Sequence, residues 1–81
     1  LSGTKIGRNC TILPMVLIGK KRPDLTYWQI TIGDNCYIGT GATILGPVTI
    51  GNNVTIGAGA VVTKDIPDGA TVVGVPGRKV K

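Results

Sequence analysis

The chain has 81 residues, which allows one small domain, and no stretch reaches the roughly 18 apolar residues of a membrane span. Nine Lys and Arg against four Asp give a net charge of +5, which favours an anionic partner, but one Trp, two Tyr and no Phe leave little to stack on bases. The composition therefore argues against a membrane protein and a nucleic-acid binder, and without histidine the two cysteines complete no metal site.

The start of the chain already follows a six-residue rule. Isoleucine recurs at Ile6, Ile12 and Ile18, and a second apolar residue follows four positions later at Cys10 and Val16. This period predicts short strands that each end at a sharp corner, with three strands to a triangular coil of about 18 residues. Because the pattern is under way at Leu1, and Leu1 is not Met, we expect the chain to be a piece of a longer protein.

The rule breaks before Ile32, and the break predicts a loop that leaves the coil. The segment 20–31 includes KKRPDLTYWQ, in which Pro23 lacks the N–H group that a strand ladder needs. The loop begins with a Lys-Lys-Arg cluster.

The longest run of repeats starts at Ile32 and ends near Ile66. Every sixth residue is aliphatic, and coils that stack at the strand spacing of about 4.8 Å should align these residues in ladders. We predict three ladders: Ile6, Ile32 and Ile50; Ile12, Ile38 and Ile56; Ile18, Ile44 and Val62. The predicted fold is all-β, a single parallel β-helix domain of about three coils.

After the repeats, residues 67–81 are expected to form a cap and tail with a basic end, Arg78, Lys79 and Lys81. Cys10 and Cys36 share the fifth place of the hexads that begin two successive coils. We therefore predict adjacent, buried, unbridged thiols that continue a ladder toward Val54 and Val72 in a cytoplasmic protein.

A family resemblance is carried by the second half of the chain. The run IGTGATILGPVTIGNNVTIGAGAVVTKDIPDGATVVGVPGR resembles the C-terminal β-helix of serine O-acetyltransferases and related sugar O-acetyltransferases, and the resemblance extends back through NCTILPMVLIG. The hexads mark only the fold, whereas the GVPGR ending is typical of the branch that uses coenzyme A. The resemblance implies a left-handed helix, a homotrimer, and acetyl transfer from acetyl-CoA to a hydroxyl of serine or a sugar.

The resemblance also implies a cofactor site in a cleft between neighbouring copies. The pantetheine arm of acetyl-CoA is expected at Thr40, Gly41 and Ala42 and at Ala58 and Gly59. Small residues there leave room for a ligand, although Gly and Ala also suit tight corners.

Cations are expected at both ends of that cleft. The resemblance places the nucleotide phosphates at Arg78 and Lys79, and Lys20 and Lys21 near the thioester. The alternative is that these residues only keep exposed strand edges soluble.

The family uses a histidine as general base, and this chain has none. The resemblance therefore implies a catalytic His upstream of Leu1 and no catalytic residue within the chain. A second family histidine aligns with Gln29, and Trp28 and Tyr27 beside it suggest an acceptor site for a sugar-like hydroxyl compound. Packing of the loop against a neighbouring copy is the alternative for the two aromatic rings.

Two functions stay open. One is an acetyltransferase whose base lies upstream, and the other is a non-catalytic β-helix that serves as a trimerisation or scaffold module. A histidine in the coil before Leu1 would decide between them. Ice binding is disfavoured because no face carries an unbroken threonine array, and a γ-type carbonic anhydrase needs several histidine ligands.

Overall fold

The computed structural model describes residues 3–24, 26 and 28–81, and every regular element in this part of the chain is a strand. The strands are β1 (Gly3–Ile6), β2 (Thr11–Ile12), β3 (Leu17–Lys20), β4 (Gln29–Ile32), β5 (Tyr37–Ile38), β6 (Thr43–Gly46), β7 (Val48–Ile50), β8 (Thr55–Ile56), β9 (Val61–Val62), β10 (Thr71–Val73) and β11 (Arg78–Lys79). Over the same residues no helix is long and apolar enough to cross a membrane.

The strands form three sheets, one on each side of a triangle. Sheet A holds β1, β4 and β7, sheet B holds β2, β5, β8, β10 and β11, and sheet C holds β3, β6 and β9. Neighbouring strands are parallel except for β10 and β11. Each side thus receives one strand from each coil, as a period of six with three strands per coil requires.

The three predicted ladders are confirmed by the pairing of the strands. Ile32 lies opposite Ile6 and Ile50, Ile38 opposite Ile12 and Ile56, and Ile44 opposite Ile18 and Val62. A partial fourth coil extends two of them, since Ile50 bridges to Ile66 and Ile56 pairs with Val72.

The core lies inside the triangle and is entirely apolar over the described residues. Its buried members are Ile30, Ile32, Cys36, Ile38, Ala42, Ile44, Val48, Ile50, Val54, Ile56, Ala60, Val62, Ile66, Ala70 and Val72. Full burial of an isoleucine contributes about 1.5–3 kcal/mol. The first coil is the exception, because Ile6, Ile12 and Ile18 keep 38–45% of their surface exposed where no further coil covers them in the structure.

β3 ends at Lys20 and β4 begins at Gln29, so both strands reach into the predicted loop over 20–31. Lys20 continues β3 opposite Gly46, and Gln29 already pairs with Gly3. The coil resumes early because Ile30 is buried and its partner in the next coil is Val48. The segment 67–81, expected as cap and tail, likewise holds a parallel rung (β10) before it turns back as β11.

Cys10 and Cys36 lie in successive coils and are free thiols. Each thiol donates to a carbonyl of the next coil, Cys10 Sγ to Gly33 O and Cys36 Sγ to Gly51 O, both at 3.1 Å. Cys36 is buried, and this burial raises the pKa of its thiol, with the neighbouring Cys10 acting in the same direction.

Two details of the cysteine prediction were wrong. Cys10 is only half-buried, since the structure holds no coil on its outer side. The ladder passes from Val54 to Ala70 rather than Val72, because Thr55 N donates to Ala70 O while Val72 pairs with Ile56.

Candidate functional site

Three columns of corners run along the helix, and each predicted site residue belongs to one of them or to the tail. Corner column 1 joins sheet A to sheet B through residues 7–10, 33–36, 51–54 and 67–70. Corner column 2 joins sheet B to sheet C through residues 13–16, 39–42 and 57–60. Corner column 3 joins sheet C to sheet A through the segment 21–28, Pro47 and residues 63–65.

Corner column 1 is built from side chains that bond the stack together. Asp34, Asn52 and Asp68 each place Oδ1 at 2.8 Å from a backbone N–H of the preceding coil, those of Arg8, Asp34 and Asn52 respectively. The third residue of the first three turns is an asparagine with φ between 57° and 59°, a left-handed conformation that asparagine tolerates, and the fourth turn has Gly69 there with φ 76°. The polar side chains of this column are therefore explained by the fold.

The second and third turns of corner column 2 have the same kind of backbone but only small side chains. Gly41 and Gly59 have φ values of 73° and 71°, and a Cβ added at either one would meet nothing within 4 Å. The turns stack directly, since Gly59 N donates to Thr40 O at 2.9 Å. Four of the five residues predicted to contact pantetheine form one continuous surface with only small side chains, here called the bare surface: Thr40, Gly41, Ala58 and Gly59. The fifth, Ala42, is buried and belongs to the core.

The tail turns over the C-terminal end of corner column 2. Val61 N donates to Gly74 O at 3.0 Å, and Gly77 N donates to Val61 O at 2.7 Å, which fixes the turn between β10 and β11 beside this corner. Arg78 follows directly, opposite Val73, and Lys79 lies opposite Val72. The structure therefore places the two predicted phosphate ligands at one end of the bare surface.

The tail also forms one wall of a cavity of about 290 Å³ over the last coil. Val62, Ile66 and Val72 line its apolar part, and Lys64, Arg78 and Lys79 contribute cations. Both tail cations are exposed, so they remain accessible to a ligand.

The other four predicted residues lie at corner column 3, on the far edge of sheet C. Lys21 N donates to Gly46 O at 2.8 Å, directly after Lys20 ends β3. Trp28 is half-buried and packs against the core, so only part of its ring faces outward. Gln29 lines a shallow depression on sheet A with Thr31, Thr49 and Asp65; Tyr27 lies outside the described residues.

The predicted site is thus divided within one copy of the chain. Thr40, Gly41, Ala58 and Gly59 form one surface with Arg78 and Lys79 at its end, and Ala42 lies in the core beneath it. Lys20, Lys21, Trp28 and Gln29 occupy a different corner. Met15, which sequence reasoning passed over, occupies the place of Gly41 and Gly59 in the first coil, with a φ of 69° and 77% of its side chain exposed. Its hexad position was the available signal.

Comparison with known proteins agrees with this architecture. Residues 29–64 match the family described as bacterial transferase hexapeptide (six repeats). A serine acetyltransferase from Bacillus pumilus is 46% identical over 76 residues, which cover 94% of this chain and 35% of that protein. The chain thus spans about a third of the length of such a relative.

Solved structures give the same result. A maltose O-acetyltransferase from Clostridium difficile 630 superposes with a TM-score of 0.88 at 41% identity, covering 96% of this chain and 47% of that one. A serine acetyltransferase from Brucella abortus strain S19, in complex with coenzyme A, gives 0.75 at 27% identity, covering 95% and 39%.

The fold and the repeat define the class, which is the left-handed parallel β-helix of hexapeptide-repeat transferases. Within that class, the chain is similar to serine acetyltransferases and sugar O-acetyltransferases.

Proposed function

We propose that this chain is the coenzyme A-binding β-helix of an acetyltransferase that moves the acetyl group of acetyl-CoA to a hydroxyl of serine or a sugar. The observation that carries the proposal is the bare surface of corner column 2 with Arg78 and Lys79 at its end. Two relatives of this chain are named for acetyl transfer, to serine and to maltose, and a third is a coenzyme A complex.

The bare surface suits the pantetheine arm on geometric grounds. Open space lies over Gly41 and Gly59, so a slender chain lies along the backbone without displacing a side chain. Successive coils are about 4.8 Å apart, so the distance from the first coil to the tail turn is three spacings, or about 14 Å. At the tail, Arg78 and Lys79 supply cations for the phosphates, as charge-assisted hydrogen bonds require.

The chemistry needs a base that these 81 residues do not supply. The acceptor oxygen attacks the thioester carbonyl, a general base takes the hydroxyl proton, and backbone N–H groups stabilise the oxyanion. The chain has no histidine, so we place the base in a coil upstream of Leu1. The four acids are aspartates, and Asp34, Asp65 and Asp68 accept backbone N–H bonds as corner residues do.

We further propose a homotrimer in which sheet C packs on a neighbouring copy. The outer face of sheet C carries no charge, and Leu17 exposes 65% of its surface there, beside the half-exposed Leu45 and Val61. Corner columns 2 and 3 form the two edges of this sheet. Contact between copies along it would bring corner column 3 of one protomer, with Lys20, Lys21, Trp28 and Gln29, toward corner column 2 of the next, and would close the cleft.

Calorimetric titration of coenzyme A into the chain tests the function, with inorganic pyrophosphate as a control for simple charge attraction. We expect weak but saturable binding of coenzyme A, and acetyl transfer only when upstream coils with a histidine are joined to Leu1. Trimer formation without any coenzyme A binding would favour the scaffold module instead.

Mass measured in solution, with Leu17→Asp as the disrupting variant, tests the trimer separately. We also expect a cytoplasmic protein, in keeping with its free thiols.

A further inference from the structure

Met15 is explained neither by the core nor by the backbone. Its side chain is 77% exposed, so it stabilises little by packing. Its φ of 69° lies in the left-handed region, where a residue with a Cβ costs about 1–2 kcal/mol and where glycine fits freely. The two later turns of the same column have glycine in this place. A fold under no other constraint would gain stability from glycine at position 15.

The place of Met15 in the column suggests what it contacts. Gly41 N donates to Pro14 O at 3.1 Å, so the Met15 turn stacks directly against the Gly41 turn on its N-terminal side. A Cβ at Gly41 or Gly59 projects into open space, and Met15, which has the same backbone conformation, projects its Cβ the same way. Met15 therefore presents a large, exposed side chain at the N-terminal end of the bare surface, opposite the end with Arg78.

We infer that Met15 determines which acyl group the site accepts. This inference rests on the proposed function. With the phosphates of the thioester at Arg78 and Lys79, the pantetheine arm passes Gly59 and Gly41, and its acyl end reaches the Met15 side chain. The thioether closes the surface behind a two-carbon acyl group. It leaves no room for the extra methylenes of a longer acyl chain.

The test compares acetyl-CoA with butyryl-CoA by calorimetric titration of the wild type, Met15→Gly and Met15→Asn. Wild type should bind butyryl-CoA about tenfold more weakly than acetyl-CoA, the scale on which a pocket discriminates methylenes. Both variants should bring that ratio within about threefold of unity and leave the affinity for coenzyme A itself, which has no acyl group, unchanged.

Asn9→Gly is the matched control. It makes the same backbone change in the same coil, at corner column 1, where Asn9 has a φ of 57°. It should leave the acyl ratio at the wild-type value. Met15→Gly should melt no lower than wild type because it relieves a left-handed methionine, so a lost ratio cannot be ascribed to unfolding.

The outcomes separate the two proposals. Coenzyme A binding with an unchanged acyl ratio in both Met15 variants would overturn this inference and leave the proposed function standing. Failure of every variant, and of the wild type, to bind coenzyme A would overturn the proposed function and this inference with it. A ratio that relaxes equally in Asn9→Gly would also overturn the inference, because it would show a general loosening of the first coil.

Discussion

Corner columns 1 and 2 solve the same backbone problem with opposite chemistry. In both, one residue per turn has a positive φ, from 57° to 59° at the asparagines of column 1 and from 69° to 73° in column 2. Column 1 fills its turns with Asn and Asp side chains that bond to the preceding coil. Column 2 uses Gly41 and Gly59 and leaves its outer surface empty.

This comparison of the two columns bears on why column 2 has glycine at positions 41 and 59. Asparagine satisfies the same backbone conformation and is available to the fold, as column 1 demonstrates. No neighbouring atom excludes a side chain at Gly41 or Gly59, since a Cβ there meets nothing within 4 Å. Packing therefore does not require glycine at these positions, just as it does not at Gly69 of column 1. Under the proposed function, glycine at 41 and 59 keeps the groove open.

The largest expected effect is on stability, and it concerns the first glycine of a corner turn, Gly33 in column 1 and Gly39 in column 2. Gly39→Ala would put a Cβ at 2.6 Å from Ala58 N, and Gly33→Ala would put one at 2.7 Å from Gly51 O. Each should lower the free energy of unfolding by about 2–3 kcal/mol, the usual cost of overpacking. Gly41→Ala, which meets no atom, should cost only about 1 kcal/mol for its left-handed φ. Urea denaturation of the three variants measures this, and equal losses would contradict the distinction.

Charge reversal should separate the two columns in binding. Arg78→Glu, at the end of column 2, should weaken coenzyme A binding by about 1–3 kcal/mol through loss of a charge-assisted contact. Arg8→Glu makes the same charge change in column 1 and is the control. Calorimetric titration at one fixed salt concentration compares them. Similar losses in both variants would mean that net charge, rather than a site at Arg78, attracts the ligand.

Exchanging the chemistry of the columns gives a sharper test. Gly59→Asn places in column 2 the residue type that holds the left-handed conformation in column 1. The free energy of unfolding should therefore fall by no more than about 0.5 kcal/mol. Coenzyme A affinity should fall about tenfold, which corresponds to about 1.4 kcal/mol, because the amide stands in the groove. Asn53→Gly is the reverse exchange and should not change the affinity. Retained affinity in Gly59→Asn would place the ligand elsewhere.

A smaller effect is expected for the side-chain ladder of column 1. Asn52→Ala removes the acceptor for Asp34 N–H, a bond of 2.8 Å at an exposed corner. The free energy of unfolding should fall by about 1 kcal/mol, as for the loss of a cap. Coenzyme A affinity should be unaffected. A larger change in affinity than in stability would show that column 1 also contacts the ligand.

The smallest expected effect is a pH dependence of the stability, which comes from the buried thiol of Cys36 in column 1. Burial raises the pKa of Cys36 above its ordinary value of 9.0, so the unfolded thiol ionises first as the pH rises. The native state is therefore fully favoured below pH 9 and loses stability as the pH climbs from there toward the raised pKa. As the pH is raised from 8 to 10, the melting temperature of Cys36→Ala should fall less than that of the wild type. Thermal unfolding at each pH measures this.

Much of this fold was readable from the sequence because a period of six is itself a burial pattern. Ile32, Ile38 and Ile44 could be assigned to their ladders by counting. The loop bounds were less accurate, because Ile30 resumes the coil inside a segment that breaks the repeat. The turn from β10 back to β11 has no hexad to announce it.

The candidate site was only partly readable. The structure places the tail cations beside the end of column 2, and their role in binding stays a prediction. Lys20 and Gln29 lie at another corner, a separation that appears only once the coils are closed. Met15 was not predicted because methionine is not a typical left-handed residue, although its place in the hexad is that of Gly41 and Gly59. Residue type predicts the chemistry of a side chain, whereas its corner in the coil decides which other side chains lie near it.

The antiparallel strand β11 gives this stack a direction. Parallel rungs template one another, so a β-helix with two bare ends is an open polymerisation seed. Here β11 lies on the C-terminal rung of sheet B with its backbone reversed, and a further coil arriving in register finds its hydrogen-bonding partners running the wrong way. Head-to-tail growth into a fibre is thereby discouraged at that end.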